Sequence, residues 1–224
     1  PSKNIEEEKF LNYKFDYLIN SNDLKLVKIY LSKNNNYNNN KIIKFYVNQY
    51  LSNSDLENAC RIFKDMNLFN DNYLTKFKIY CLINENKNEE AQLVFDLMQE
   101  LGFEDKFFEK KFNILMDYVT EKDSELSDKN ILDFHLSHRT NLELKYKPNN
   151  NTPKIIWKYL SSSNLLQDIS EIDLENIDEI SIIENATHEQ IYNEKELFEL
   201  YKRFQFNINQ LLTAKETFKL LPSF

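Results

Sequence analysis

The stretch Asp133-Phe134-His135-Leu136-Ser137-His138-Arg139-Thr140 places two of the chain's three histidines three residues apart, beside an aspartate, a serine and an arginine. Imidazoles at this spacing share one face of a helix. They could hold zinc or move protons. Zinc pairs on one helix are commonly at i and i+4, and a catalytic zinc needs a third protein ligand. Leu136 rules out a HExxH motif, and His188 is remote and lies among acids. A Ser-His-Asp triad built on Ser137 fails, because adjacent residues of one helix cannot point at each other. The simpler reading is a stripe of Ile131, His135 and His138 at the edge of a core, with Leu132 and Leu136 beside it. Ser127–Arg139 then forms a short helix capped by Ser127, with His138 and Arg139 near its negative end. This reading predicts a helix contact that loosens on protonation near pH ~6.5. A metal-dependent enzyme using His135 and His138 is the competing reading.

Other acids offer no clearer chemistry. Glu89-Glu90 and Asp178-Glu179 are pairs, but acids in the first turn of a helix are expected from the dipole alone. General acid–base work needs carboxylates across a cleft with one pKa raised by burial. No catalytic residue, no cofactor and no metal ligand is therefore assigned.

Those side chains must be positioned by elements that composition already limits. The chain has 224 residues, of which 42% are hydrophobic and 14% aromatic, so it can bury a sizeable core. It has one glycine, Gly102, and four prolines. Phosphate-binding loops and dinucleotide folds need several glycines for positive φ and close backbone approach. One glycine allows neither GxGxxG nor GxxxxGK[ST]. The two cysteines, Cys60 and Cys81, sit inside apolar helical patterns and read as buried free thiols. No apolar run reaches the ~18 residues of a membrane span. The chain starts at Pro1 and stops at Phe224, and reads as a segment of a longer protein that is soluble, in a cytoplasm or a bacterial periplasm. The net charge is −8, and residues 165–200 hold eleven acids against Lys195 alone. Such a patch repels phosphate backbones and suits a basic partner.

A repeat organises the first half. The stretches from Tyr13, Phe45 and Phe77 align without gaps at a spacing of 32 residues. Aromatics match at Tyr13, Phe45 and Phe77, apolar residues at Leu18, Tyr50 and Leu82, and small or branched ones at Val27, Ala59 and Ala91. Each unit reads as two amphipathic helices, apolar at i, i+3, i+4 and i+7, joined by Asn/Ser/Asp turns. Ser54 with Glu57 fits a capping box. Neither helix can bury its face alone, so neighbouring hairpins stack. The segment Glu89–Asp105, "EEAQLVFDLMQELGFED", with Ala91, Phe95, Met98 and Gly102 in place, resembles the second helix of a tetratricopeptide or pentatricopeptide repeat. Glu57–Asn67 is similar. The resemblance covers about residues 13–118 and implies an α-solenoid with a right-handed superhelix.

The second half is helical without a period. Thr152-Pro153 signals a helix start, and Asn193 with Glu196, and Asn207 with Gln210, look like caps. "NNNYNNN" at Asn34–Asn40 reads as an elongated turn. Leu197–Ala214 is faintly similar to uncharacterised helical proteins of bacterial envelopes. The expected architecture is all-α: stacked antiparallel hairpins over residues 1–120, then an irregular helical part over 121–224 packed on it as one continuous domain. The expected function is non-catalytic binding of a protein or peptide, as a scaffold or adaptor, with Tyr46, Lys78, Tyr80 and Asn84 as candidate contacts on the first-helix face. RNA binding is the runner-up that the pentatricopeptide likeness implies, but nucleic acid is disfavoured by the near-neutral repeat region.

Overall fold

The computed structural model describes residues 6–21, 24–34, 40–63, 71–120, 123–141 and 143–204. Among them are eleven α-helices, a 3₁₀ turn and no strand. The helices are α1 (Glu7–Asn20), α2 (Leu24–Asn34), α3 (Asn40–Ser52), α4 (Leu56–Arg61), α5 (Asn72–Asn84), α6 (Asn88–Glu100), α7 (Lys106–Leu115), α8 (Ile131–Thr140), α9 (Lys154–Ser162), α10 (Ile177–His188) and α11 (Glu194–Lys202), with the 3₁₀ turn at Ile169–Glu171. No helix among the described residues is long and apolar enough to cross a membrane. Part of "NNNYNNN" and the Asn207–Gln210 pair lie outside the described residues.

The chain divides into two compact units, one of residues 1–146 with 152–164, the other of 147–151 with 165–224. The expected line at residue 120 marks where the sequence period ends, but α8 and α9 lie in the first unit and pack on α3 and on each other. In that unit α1 pairs with α2, α3 with α4 and α5 with α6. Helix α3 also touches α1, α2, α5, α8 and α9. Its residues Ile42, Ile43, Val47 and Leu51 are fully buried, as a hub helix requires. The return of α8 and α9 to α3 is a contact that nearest-neighbour stacking alone would not give. At the α6–α7 end, Phe95 stacks on Phe112 with ring centroids 4.2 Å apart. In the second unit, Ile172, Ile180, Ile183 and Leu200 form the core, and the Arg203 guanidinium donates to the carbonyls of Ile169 and Ile172 at 2.6 and 2.7 Å.

Local signals explain most helix boundaries. Asp55, Asp71, Asp105, Asn130, Asn176 and Asn193 are N-caps whose side chains accept from a backbone N–H three residues on. Asn193 and Glu196 complete a capping box. Three expected caps are corrected. Asp55, not Ser54, caps α4, because Ser54 closes the preceding helix at φ +57° and turns its hydroxyl to Ser162 and Ser163. Asn130, not Ser127, caps α8, since Ser127 is still in the loop and its N–H donates to Ser137 Oγ. Pro153 stands at the N-cap of α9, and Thr152 is buried with its hydroxyl 3.1 Å from that of Tyr146.

The shortage of glycine shows at the other ends. Ser54, Asn86, Gly102, Asp117, Asn164 and Gln190 each follow a helix with positive φ. Beside five of them the next N–H reaches back to the last turn: Asp55 to Tyr50, Lys87 to Leu82, Phe103 to Met98, Tyr118 to Asn113 and Ile191 to Ala186, at 2.9–3.1 Å. This is the Schellman ending, which favours glycine at the left-handed position. Here non-glycine residues hold it in four of these five endings, all but Gly102.

The cysteine expectation is overturned. Cys60 and Cys81 form a disulfide between α4 and α5, with Cα atoms 5.5 Å apart. The fold brings together two residues that sequence spacing alone could not pair. Closing this loop of 21 residues constrains the unfolded chain by about 3 kcal/mol. Reduction, or a Cys60→Ser/Cys81→Ser exchange, is expected to lower unfolding free energy by about that amount in a urea titration. A second expectation concerns the left-handed turns: Gln190→Gly should gain about 0.5–1 kcal/mol with an unchanged denaturant slope, because glycine removes the strain at φ +61°.

Candidate functional site

Three helices bring the histidine stretch into contact with two tyrosines. Helix α8 is buried on every side from Ile131 to Ser137. His135 is therefore deep in the interior, not at the core edge as its stripe suggested, while His138 is half-buried. From α5, the Tyr80 hydroxyl stands 2.9 Å from His135 Nε2. From α9, the Tyr159 hydroxyl stands 2.8 Å from Nδ1 of both His135 and His138. Arg139 lies beside the Tyr80 hydroxyl, and Ser163 beside that of Tyr159. A neutral imidazole offers one N–H and one lone pair. The chain Tyr80–His135–Tyr159–His138 thus closes with both nitrogens of His135 engaged.

Burial controls the charges of this cluster. It pushes the His135 imidazole down to about 3, with the Arg139 guanidinium and His138 acting in the same direction. His138 is also lowered, by burial and then by Arg139. Burial raises Tyr80, with Arg139 opposing, and pushes Tyr159 up to about 12. The cluster is therefore neutral over the ordinary pH range.

Charged groups nearby are turned elsewhere. Asp133 points away from the imidazoles to Lys76 Nζ at 3.4 Å, and Asn130 donates to it at 2.7 Å. Lys76, itself buried, also pairs with Asp105 at 3.0 Å. Ser137 Oγ donates to the Asp133 carbonyl, so it takes no part in a triad. A second interior cation, Lys111, lies 2.6 Å from Asp123 and donates to the Glu125 carbonyl at 2.7 Å. Burial opposes ionisation of Asp123, but hydrogen bonds from Lys110 and Lys111 prevail and hold it at about 2. Among the described residues, no group of three His, Cys, Asp or Glu side chains is placed to hold a metal.

The four candidate contacts do not form one surface. Tyr80 is buried in the histidine cluster, and its 2% exposure leaves nothing for a partner. Tyr46 is half-buried, its hydroxyl donating to that of Tyr50 at 3.0 Å. Lys78 is half-buried, its pKa lowered by burial against the opposing field of Glu90, and Asn84 is exposed. Sequence reading missed Tyr159, Lys76 and Lys111. Nothing in "WKYL" marks Tyr159, whereas the Lys110-Lys111 pair inside "FFEKKFN" was a visible sign, since a lysine among aromatics needs a buried partner. Comparison with protein families, with curated proteins and with solved structures finds no match for the chain.

Two outcomes follow from the cluster. Tyr159→Phe strips a hydroxyl from two imidazoles and leaves a buried nitrogen unpaired, at a cost of about 1–3 kcal/mol in chemical denaturation. The pH dependence has a definite sign. The unfolded imidazole binds a proton below its ordinary value of ~6.5, and the folded His135 does so only near 3. Stability contributed by neutral His135 is complete above pH ~6.5 and falls by up to about 1.4 kcal/mol per pH unit toward 3. The difference between wild type and His135→Ala, followed by urea midpoints, should shrink across that window. A difference independent of pH would contradict the burial of His135.

Proposed function

We propose that the chain is a non-catalytic helical module that binds a protein or peptide. Its first 120 residues are antiparallel hairpins stacked as an α-solenoid of right-handed curvature, and further helices follow. Helix boundaries support the stacking. Helix ends at Asn20, Ser52 and Asn84, and helix starts at Leu24, Leu56 and Asn88, all recur at 32 residues. The observation that carries the binding role is the changing exposure of one register position. Phe77 is buried, with the ring of Phe63 from the preceding hairpin 5.4 Å away. Phe45 is half-buried. Tyr13, at the same position of the first hairpin, is 73% exposed.

Tyr13 does not stand alone. Phe10, Tyr13 and Tyr17 lie at i, i+3 and i+7, on one side of α1, and Tyr17 is 64% exposed. Phe15 and Leu18, on the other side, are buried with Val27 and Ile42. Thus α1 presents an apolar row on each side, and only one is covered by this chain's described residues. Terminal units of such arrays usually turn a polar face outward. An exposed aromatic row there suits a partner helix, and aromatic residues supply much of the energy at interfaces.

The test is affinity capture by the whole chain and by a Tyr13→Ser/Tyr17→Ser variant, each read by mass spectrometry at about 0.1 M and about 0.5 M salt. Apolar docking survives the higher salt, since screening weakens charge contacts alone. The expected result is at least one protein retained at both salts by wild type and lost from the variant. Identical protein sets, or capture abolished by ribonuclease, would count against the proposal.

A further inference from the structure

The outer face of α6 breaks two rules of helix design, and both breaches point the same way. Residues 88–105 contain six acids, Glu89, Glu90, Asp96, Glu100, Glu104 and Asp105, and no lysine or arginine. Glu89 and Glu90 suit the first turn of α6, but Glu100 sits near its C-terminus, where the dipole favours cations, and no base occupies the last turn. Asp96 and Glu100 are like charges at i and i+4, a repulsive arrangement. The second breach is apolar. Leu93, Leu97 and Leu101 follow one another at i, i+4 and i+8, yet Leu93 is 61% and Leu101 88% exposed. The buried face of α6, made of Ala91, Val94, Phe95 and Met98, is a separate stripe.

The flank of this row is already organised. Tyr118, itself exposed, donates its hydroxyl to Gln92 Oε1 at 3.0 Å, and Gln92 Nε2 donates to Asp96 at 2.7 Å. Asp96 is thereby held in one orientation. Asp105 is turned inward to Lys76, and Glu90 lies in the fields of Lys78 and Lys87. Glu89 and Glu100 are exposed and make no ion pair among the described residues.

We infer that the Leu93–Leu97–Leu101 face of α6 docks a basic amphipathic helix, whose apolar stripe covers the leucines and whose lysines or arginines meet Glu89, Asp96 and Glu100. Charge complementarity selects this occupant. A cation placed beside Asp96 and Glu100 removes their mutual repulsion and the unfavourable dipole contact together. A second α6 would double the repulsion, and a nucleic acid would meet carboxylates of its own sign. Leucines at i, i+4 and i+8 make a row along which the apolar stripe of a docking helix, with its anchors at i, i+3, i+4 and i+7, can lie.

The inference rests on reading the chain as a binding module, and its test separates the two. The probe is a fluorescent 14-residue helical peptide of leucine and lysine in helical register, with a glutamate-for-lysine peptide as control. Anisotropy is read for wild type, for Leu93→Ser/Leu101→Ser, for Leu101→Ser alone and for Asp96→Asn/Glu100→Gln. Melting curves confirm that each variant folds, and Leu101→Ser keeps the test valid should the double variant not fold. The lysine peptide should bind wild type and the control should not. The double leucine variant should weaken binding at least tenfold, Leu101→Ser several-fold, and Asp96→Asn/Glu100→Gln should flatten the salt dependence. No binding, equal binding of both peptides, or variants that bind like wild type would overturn the α6 site. Partner capture that still depends on Tyr13 and Tyr17 would then leave the binding-module reading standing.

Discussion

One hydroxyl group, that of Tyr159, holds the centre of the first unit in place. It stands 2.8 Å from two imidazole nitrogens, and through His135 it is joined to Tyr80 on another helix. His135 is buried, so a displacement of α5, α8 or α9 that breaks these bonds leaves a nitrogen unpaired in the interior. Fully satisfied networks of this kind specify one packing arrangement among many that apolar contacts alone would tolerate. Helices α8 and α9 in turn cover α3, on which the hairpin helices α1, α2, α4 and α5 converge. The buried side of the hub helix is mostly apolar, whereas the cluster beside it is polar and directional.

The molecule places charge inside and leucine outside to an unusual degree. Lys76 and Lys111 are buried, and each meets a carboxylate within 3.0 Å. Pairing of this quality offsets much of the cost of taking ions out of water, while removal of one partner would strand the other. Lys76 links the N-cap of α7, Asp105, to Asp133 on α8, and Lys111 ties the end of the loop before α8 to α7. The Lys76 pairs bind the stretch between residues 105 and 133 to α5, and the Lys111 pair holds that stretch together internally. Of the exposed apolar rows on α1 and α6, Tyr13, Tyr17, Leu93 and Leu101 are left largely uncovered by the described residues.

Local features of the fold were legible in the sequence. Helices start at Leu24, Leu56 and Asn88, just after the Asn/Ser/Asp turns, and the apolar Val27, Ala59 and Ala91 are buried. The capping box at Asn193 and the helix end at His138 and Arg139 were equally readable, because neighbours within four residues decide them. What was missed depends on distant neighbours. The bridge between Cys60 and Cys81 needs two helices side by side. Tyr80 had the spacing of a surface contact, and its burial is decided by His135, 55 residues away. The stripe of Ile131, His135 and His138 misled because α8 is buried all round from Ile131 to Ser137, so periodicity could not tell its inner side from its outer one. Of the site, the histidine pair was visible and its tyrosine partners were not.

The Schellman endings carry a consequence for the route by which the chain folds. Each is completed by bonds within six residues, so the division into hairpins needs no information from elsewhere in the chain. Contacts so short in sequence form early, since little loop entropy opposes them. The Tyr80–His135–Tyr159 chain spans 55 and 24 residues and closes only when α5, α8 and α9 have met. The hairpin endings are therefore set by local bonds, whereas the imidazole chain needs three helices in place. The closing of one hydroxyl between two imidazoles is then what separates compact from native.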